Sequence, residues 1–414
     1  MTDTLVQSDR GRQLVQQLGI RLFDADNHYY ETPDCFTRHL SPDTARQAFR
    51  WVRNDSGQSR LIVNGELLRM IVNPRFDENA RIAQPGGLTQ MFRSGGDIVH
   101  RSASQAVEAL SDRPEYQHRD ARLEVMDRQL VEKNWLFPTI GVIIEEYFRD
   151  QPNVTSEILA SFNRWLEEEW GFAYKDRVHA VPHLSLADIQ GAITQLDWVL
   201  SRGAKLVDLR SCPVPGASIG RSLADPAFDP FWSRVNEAGT PVTLHAGDLG
   251  TTRRFSTDWG ENPNPTPYDT TRFQMMQSYR SAYDTAAALI FHGLFDRHPN
   301  VRIVFVEQGA TWTRFFLHNL KKTLRRVDNS GFTTKLDPLE TFRKHFWFEP
   351  YPEENLEEVV DILGEDRVVF GSDWPHVEGT PEPAAFFDNI GALSPSTLTK
   401  IMWENAMSLM EPPS

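Results

Sequence analysis

Apolar runs that end in an acidic residue or a histidine most constrain the fold of this chain. These runs end at Asp26 and His28, at His245, at Glu307 and at Asp373. Side chains two apart on an extended strand point to the same face, so the Asp26 carboxylate and the His28 imidazole should converge on one point. The pattern therefore predicts a metal site that is built from the ends of several strands.

The spacing of the strand-like segments indicates how those ends could meet. Helical and strand-like segments alternate from about residue 120, and counting the first run there are eight strand candidates: residues 21–26, 135–140, 178–182, 205–210, 241–245, 302–307, 346–350 and 368–373. This number and order predict an α/β fold, a parallel (β/α)8 TIM barrel, rather than a sandwich. An open doubly wound sheet is the alternative, but no glycine-rich phosphate loop follows the first strand.

One long segment interrupts the alternation, between residue 29 and about residue 118. Within it, Asn64 and Gly65 are flanked by apolar residues, which predicts a β-hairpin. An insert after the first strand of a barrel emerges at the active-site face, so we expect this segment to cap the pocket. Residues 1–414 are then one barrel domain with a cap insert at about 29–118.

The charge balance bears on partners and location. The chain has 414 residues with a formal net charge of −14, which argues against nucleic acid or an anionic membrane as the main partner. No apolar stretch approaches the roughly 20 residues of a membrane span. Acids among the first nine residues do not fit a secretion signal, and two cysteines far apart in sequence do not suggest a disulfide framework. We expect a cytoplasmic protein that acts on a small molecule.

Four side chains are the predicted metal ligands: Asp26, His28, His245 and Asp373. Each ends an apolar run, where an unpaired charge would be costly to bury, and a metal would supply the opposite charge. Carboxylate and imidazole ligands suit zinc, manganese or iron better than calcium, and zinc is the first choice. For any one of these residues, the alternative is a helix cap or a hydrogen-bonded residue at a strand end.

Two further carboxylates compete with Asp26 as the first-strand ligand. Asp24 shares the expected strand face with Asp26 but lies deeper. Glu31 lies past the strand end and could reach the metal only if the chain folds back. We place Glu31 among the residues that surround the ligands. Whether Asp24 or Glu31 binds the metal directly stays open.

Catalytic roles are predicted for groups around the ligands. Asp373 could ligate the metal or orient a bound water, and Glu307 could act as a general base or acid. Arg210 ends the fourth strand and could hold a substrate carboxylate with its two-pronged guanidinium. His376, three residues after Asp373, could transfer protons. The alternatives are a structural salt bridge for Glu307 and Arg210, and loop packing for His376.

Together these residues resemble the amidohydrolase superfamily. The similarity is to the amidohydrolase-related branch that includes aminocarboxymuconate semialdehyde decarboxylase and resorcylate-type decarboxylases. It is carried by residues 24–28, 242–248, 293–299 with the strand to 309, and 370–376. The resemblance implies a distorted (β/α)8 barrel with one divalent metal, and a homodimer as a family-level expectation. It also implies that Asp26 and His28 form an acid-x-His pair, with His245 as the fifth-strand ligand and Asp373 as the eighth-strand acid.

The chain departs from those decarboxylases at one position. They generally carry a catalytic histidine at the end of strand six, where this chain has Glu307. To protonate carbon, Glu307 must be protonated at neutral pH, and a nearby metal cation opposes that. The main prediction is therefore a metal-dependent hydrolase that uses a metal-activated water on an organic acid or aromatic substrate. A metal-dependent non-oxidative decarboxylase is the first alternative, and a barrel that binds a small ligand without turnover is the second.

Overall fold

The fold comes from a computed structural model of the chain. The structure describes residues 2–55, 59–69, 75–77, 79–87, 107–215, 220–247, 250, 255–262, 270–325 and 334–413. Part of the predicted insert, residues 88–106, therefore lies outside the described residues.

Parallel strands make up two sheets of this α/β structure. The first sheet has the order β1-β7-β8, and the second has the order β9-β10-β11-β12. These strands are β1 Leu22–Tyr29, β7 Val131–Pro138, β8 Val178–Ala180, β9 Val207–Asp208, β10 Val242–His245, β11 Ile303–Val306 and β12 Phe346–Phe348.

Helices alternate with these strands along the chain. Before and within the insert they are α1 Thr2–Leu18 and α2 Pro42–Ala48. The following ones are α3 Arg119–Gln129, α4 Gly141–Tyr147, α5 Pro152–Glu169, α6 Ile189–Ser201, α7 Asp229–Ala238, α8 Arg272–Met275, α9 Arg280–Phe291, α10 Leu294–Arg297, α11 Thr313–Thr323, α12 Pro338–His345, α13 Leu356–Leu363, α14 Pro395–Thr399 and α15 Asn405–Leu409. Within the described part of the chain, none of the helices is long and apolar enough to cross a membrane.

Short stretches of backbone pairing connect the two parallel sheets. Residues 182–184 pair with β9, with the Leu184 amide donating to the Asp208 carbonyl at 2.9 Å. The eighth predicted strand, residues 368–373, makes bridge contacts rather than a regular strand. There the Val369 amide donates to the Phe348 carbonyl at 2.9 Å, and the Ala25 amide donates to the Phe370 carbonyl at 2.8 Å.

The insert contains antiparallel β-structure of its own. β2 Phe49–Arg53, β3 Ser59–Val63 and β4 Glu66–Leu67 form one sheet, and β5 Arg81–Ala83 pairs with β6 Val107–Ala109. The predicted hairpin is confirmed: Asn64 (φ 47°) and Gly65 (φ 79°) connect β3 to β4. A left-handed backbone at both positions is what a tight hairpin turn needs, and it favours Asn-Gly.

Apolar residues from the parallel strands pack between the sheets and the carboxyl-terminal helix. This cluster includes Phe23, Ala25, Trp135, Phe137, Val181, Leu206, Val304, Val306, Trp347 and Val369, with Trp403, Ala406 and Leu409 against it. Burial of so much apolar surface provides the main stabilisation of such a core. The rigid core fixes the strand ends, where the polar residues lie.

Candidate metal centre

A β-bulge in β1 sets the direction of the side chains at its end. Asp24 lies opposite Asn134, whereas Asn27 lies opposite Leu136, so β1 has one more residue than β7 over this stretch. An extra residue shifts the alternation of side chains between the two faces of a strand. As a result Asn27 and Asp24 contact each other, with Asn27 Nδ2 donating to Asp24 Oδ2 at 2.9 Å.

Neither Asp24 nor Glu31 joins the ligand cluster. Asp24 accepts hydrogen bonds from the Ser372 hydroxyl (2.6 Å) and amide (2.9 Å), and burial raises its pKa to about 7. Glu31 Oε1 accepts from the Ile140 and Gly141 amides at 2.7 and 2.9 Å, at the start of α4. Asp24 thus contacts Asn27 and Ser372, and the bulge lies between Asp24 and Asn27.

Asp26, His28 and His245 come together at the strand ends. His28 Nε2 lies 3.2 Å and His245 Nε2 lies 3.3 Å from Asp26 Oδ1. One ligand atom from each of these residues and from Glu307 lies within 4.8 Å of all the others. Asp373 groups instead with His28 and His376, at 3.3 Å from His28 Nε2. The structure thus brings Glu307 close to three of the predicted ligands, and Asp373 close to His28.

The donor atoms fit a divalent ion. Tetrahedral bonds of about 2.0–2.1 Å to nitrogen or oxygen put neighbouring ligand atoms about 3.3 Å apart. Asp26 Oδ2 and both His28 ring nitrogens are buried without a hydrogen-bond partner among the described residues. Buried polar atoms in proteins are nearly always satisfied, so these orphaned atoms indicate a missing partner. Two imidazoles and two carboxylates suit zinc, manganese or iron.

A hydrogen bond sets the orientation of His245, and burial keeps His28 neutral. His245 Nδ1 lies 2.6 Å from the Ala246 carbonyl oxygen, which can only accept, so Nδ1 carries a proton and Nε2 faces Asp26. For His28, burial and the neighbouring His376 lower the pKa to about 3, which keeps the ring neutral. A neutral imidazole is the form that binds a metal.

Two acidic residues of the site adopt a left-handed backbone, which is uncommon outside glycine. Glu307 has φ 53° and Asp373 has φ 52°. The Glu307 amide donates to Glu349 Oε2 at 2.9 Å, and the Tyr351 hydroxyl donates to the Glu307 carbonyl at 3.1 Å. The Asp373 amide donates to the Asp26 carbonyl at 2.8 Å. Such conformations persist only where the surroundings hold them, and they concentrate at functional sites.

Glu307 lies in strongly acidic surroundings. Its Oε2 is 3.5 Å from His245 Nε2. Burial raises the pKa of Glu307 well above its ordinary value, and the nearby Asp373 raises it further. Loss of a proton from Glu307 would add a negative charge beside existing ones in a desolvated place. Its protonated form is therefore favoured.

His376 links Asp373 to the wall of the site. Its Nδ1 lies 2.7 Å from Asp373 Oδ1, and its ring stacks on His28 at 3.8 Å between centroids. The Thr139 hydroxyl donates to the Tyr29 carbonyl at 2.7 Å and so accepts from His376 Nε2, at 2.9 Å. His376 is thus fixed beside the predicted ligands, at a position that suits proton transfer to or from Asp373.

Arg210 lies in a buried ionic network. Its Nη2 is 2.5 Å from Glu146 Oε2 on α4, and Nε is 4.0 Å from Glu145. Beside it, His183 Nδ1 lies 2.7 Å from Asp208 Oδ2, and Asp208 Oδ1 accepts from the His245 amide at 3.1 Å. The predicted alternative for Arg210, a structural salt bridge, matches this geometry. Its role in holding a substrate carboxylate stays a prediction.

Gly371 lets two buried acids approach each other. A Cβ at this position would lie 2.5 Å from the Asp26 Cβ and 2.6 Å from the Glu349 Cγ. We expect Gly371→Ala to lower the free energy of unfolding by roughly 3 kcal/mol and to weaken metal binding, because the clash displaces Asp26. Guanidinium unfolding and manganese titration would measure the two effects. Gly19→Ala, which has open space around its Cβ but a left-handed backbone (φ 63°), is the control for backbone strain without a clash; equal effects of both substitutions on metal binding would contradict the steric account.

Parallel strands with acids and imidazoles at their carboxyl ends define an α/β enzyme of the amidohydrolase type. A family model described as Amidohydrolase matches residues 23–410. The chain therefore belongs to the amidohydrolase family and is an enzyme of that superfamily. Its predicted place in the branch with the semialdehyde and resorcylate decarboxylases is confirmed.

Similar proteins agree with this assignment. An amidohydrolase from Mycobacterium avium subsp. paratuberculosis K-10 has 38% identity and a TM-score of 0.85, over 95% of this chain and 98% of that chain. The 2-amino-3-carboxymuconate-6-semialdehyde decarboxylase of Dictyostelium discoideum is 24% identical over 219 residues. That match spans 50% of this chain and 57% of the relative, little more than half its length.

A third similarity concerns the fold alone. The structure of a dihydroxybenzoic acid decarboxylase from Polaromonas sp. JS666, with bound manganese and the inhibitor 2-nitroresorcinol, has a TM-score of 0.55 at 19% identity. The match covers 80% of this chain and 97% of that one. It shows that both chains share the arrangement of strands and helices.

Proposed function

We propose that this chain is a metal-dependent non-oxidative decarboxylase of a small aromatic or conjugated carboxylic acid. The observation that carries the proposal is a carboxyl group, Glu307, that lies 3.5 Å from a metal-ligand imidazole in surroundings that favour its protonated form. A bound metal cation lowers the pKa of Glu307 and so favours its ionised form, which opposes decarboxylation with Glu307 as the acid. The negative charges of Asp26 and Asp373 oppose that effect, since both raise the pKa of Glu307, whereas His245 lowers it.

The relatives support the same reaction. The Dictyostelium relative is named as a decarboxylase, and so is a gamma-resorcylate decarboxylase of Rhodococcus jostii that is 24% identical over 245 residues. The main prediction, a hydrolase, receives less support than its decarboxylase alternative.

The fold proposal is a closed (β/α)8 barrel with a cap. The backbone pairing of residues 182–184 and 368–370 with neighbouring strands supports closure. Contacts of the insert with the site support the cap. Tyr116 packs edge-on against Trp374, the residue after Asp373, at 5.2 Å, and Tyr30 lies against His376 at 6.1 Å between ring centroids. The proposal treats residues 1–414 as one domain.

The proposed ligands are Asp26, His28, His245 and Asp373, with Glu307 free to act as an acid. A bound divalent ion would neutralise the surrounding carboxylates and hold the substrate carboxylate with an adjacent oxygen. Zinc is the metal predicted from the sequence; manganese is the one that the Polaromonas structure contains, and this donor set accepts both.

The chain's own groups would then carry the proton transfer. Glu307 donates its proton to the carbon that bears the carboxylate. The new carbon–hydrogen bond uses an electron pair of the conjugated π system. The bond to the carboxylate then breaks, carbon dioxide leaves, and the electron pair of that bond restores the π system. Glu307 is left as a carboxylate and regains a proton from solvent. His376, whose Nδ1 lies 2.7 Å from Asp373 Oδ1 and whose Nε2 donates to the Thr139 hydroxyl, keeps Asp373 oriented during these steps.

Isotope labelling tests the reaction type. The manganese-loaded protein is offered a panel of hydroxybenzoates, with 2,6-dihydroxybenzoate first, and a carboxymuconate semialdehyde. We expect one carbon dioxide for each product molecule, one deuterium on the product carbon in heavy water, and no oxygen from ¹⁸O-labelled water in the product. Incorporation of labelled oxygen without carbon dioxide release would instead support the hydrolase.

A further inference from the structure

A fully buried arginine lies behind the proposed metal ligands. Arg122 is on α3 and has no exposed surface. Its Nε donates to the Glu115 carbonyl at 2.8 Å, its Nη1 donates to Asn27 Oδ1, and its Nη2 donates to the His28 carbonyl at 2.7 Å. Two of the three hydrogen bonds therefore end on the tip of β1, one of them on a ligand residue itself.

The same guanidinium also contacts the segment that carries Asp373. Its Cζ lies 4.8 Å from the centre of the Trp374 ring and 5.4 Å from that of Trp170. Trp374 follows Asp373 directly, and its carbonyl accepts from the His28 amide at 2.8 Å. Arg122 thus touches both of the backbone segments that must stay in register for His28 and Asp373 to face one point.

The type of contact distinguishes Arg122 from an ordinary salt bridge. All three acceptors are uncharged oxygens, so the buried cation has only partial compensation, and desolvation of a guanidinium costs several kcal/mol. A methionine or leucine would fill the same space between the two indoles at a lower cost. The planar guanidinium has donors in fixed directions, so it holds its acceptors in a defined orientation. An apolar residue cannot do this.

We propose that Arg122 is a positioning residue of the metal centre, which holds the β1 tip and the Asp373 segment in the ligating arrangement. This inference rests on the proposed function, because it requires that the site binds a divalent ion. Outer groups that orient ligands typically contribute 10–100-fold to metal affinity. A structural role alone would lower the stability of the chain without a selective effect on the metal.

A matched control is available in Arg302. It is also buried and donates to backbone carbonyls, those of Ser408 (3.0 Å), Glu411 (2.7 Å) and Gly239. It immediately precedes β11, at the opposite end of the strand from Glu307. Arg302→Met therefore removes a comparable buried fork without touching the ligand-bearing segments.

The test is the manganese dissociation constant, measured by competition with a chelator on the full-length chain. We expect Arg122→Met to weaken binding about 10–100-fold relative to wild type, and Arg302→Met to leave it within about 2-fold while lowering the unfolding midpoint. Arg122→Lys keeps the charge but loses the fork, and should weaken binding about 10-fold. Circular dichroism confirms that each variant is folded, and the Lys variant replaces the Met variant if the latter does not fold.

Different outcomes separate this inference from the proposed function. A folded Arg122 variant with wild-type manganese affinity would overturn the positioning role alone. An equal loss of manganese affinity in Arg302→Met would overturn it as well. The loss of affinity in both variants would then result from lower stability of the chain and not from a positioning role of Arg122. Wild-type chain that binds neither manganese nor zinc would overturn the proposed function and this inference together.

Discussion

Glu307→Gln is expected to lower the turnover number at least about 100-fold while manganese affinity falls only a few-fold. General acid catalysis by a positioned side chain contributes about 10²–10⁴-fold, and a glutamine amide cannot donate the proton that carbon requires. The substitution keeps the size of the side chain and the Glu307 amide that Glu349 accepts from. Carbon dioxide release by the manganese-loaded protein, at saturating substrate, is the measurement.

Glu378→Gln is the matched control for this prediction. Glu378 is exposed, yet a carboxylate oxygen of it lies within 4.8 Å of ligand atoms of Glu307 and Asp373. The Glu378→Gln substitution removes one negative charge from the same region without removing the proposed acid. Turnover should therefore stay within about 3-fold of wild type. Similar losses in both variants would mean that charge, and not proton donation, sets the rate.

His245→Ala is expected to weaken manganese binding by more than about 100-fold and to abolish detectable turnover. Groups that only orient ligands already contribute 10–100-fold, and a direct ligand contributes more. His245 Nε2 is 3.3 Å from Asp26 Oδ1, so the substitution also removes a hydrogen-bond partner of Asp26. Equilibrium metal content after dialysis and chelator competition measure the effect.

His345→Ala provides a control with similar burial. His345 Nδ1 lies 2.7 Å from the Val301 carbonyl oxygen, much as His245 Nδ1 lies 2.6 Å from that of Ala246, but His345 ends α12, immediately before β12 begins. Its substitution should lower stability and leave metal affinity intact. Manganese affinity that survives in His245→Ala would remove His245 from the ligand set.

The sequence predicts those parts of the fold that depend on local patterns. Seven of the eight predicted apolar runs overlap a parallel strand, because parallel strands are buried on both faces and so read as apolar runs. Asn64 and Gly65 predicted the hairpin because few other pairs adopt two left-handed conformations in succession. The convergence of Asp26, His28 and His245 followed from the rule that parallel strands end at one edge of the sheet.

Other parts of the site depend on contacts between distant segments. The bulge in β1 depends on its pairing with β7, so the position of Asp24 against Ser372 could not be read from alternation alone. Glu349 accepts a hydrogen bond from the Glu307 amide, although the two residues are 42 positions apart in sequence. The sequence does indicate that Arg122 is unusual, because it lies on the buried side of α3 with Val125 and Met126. An arginine is rarely buried unless its guanidinium has hydrogen-bond partners.

The central claim is that Asp26, His28 and His245 bind one divalent ion at the strand ends. Anomalous diffraction from crystals grown with zinc or manganese, recorded on both sides of the metal absorption edge, tests it most directly. We predict one strong anomalous peak roughly 2.0–2.2 Å from ligand atoms of these three residues. No peak there at full metal loading, or a peak bound only by other side chains, would contradict the claim.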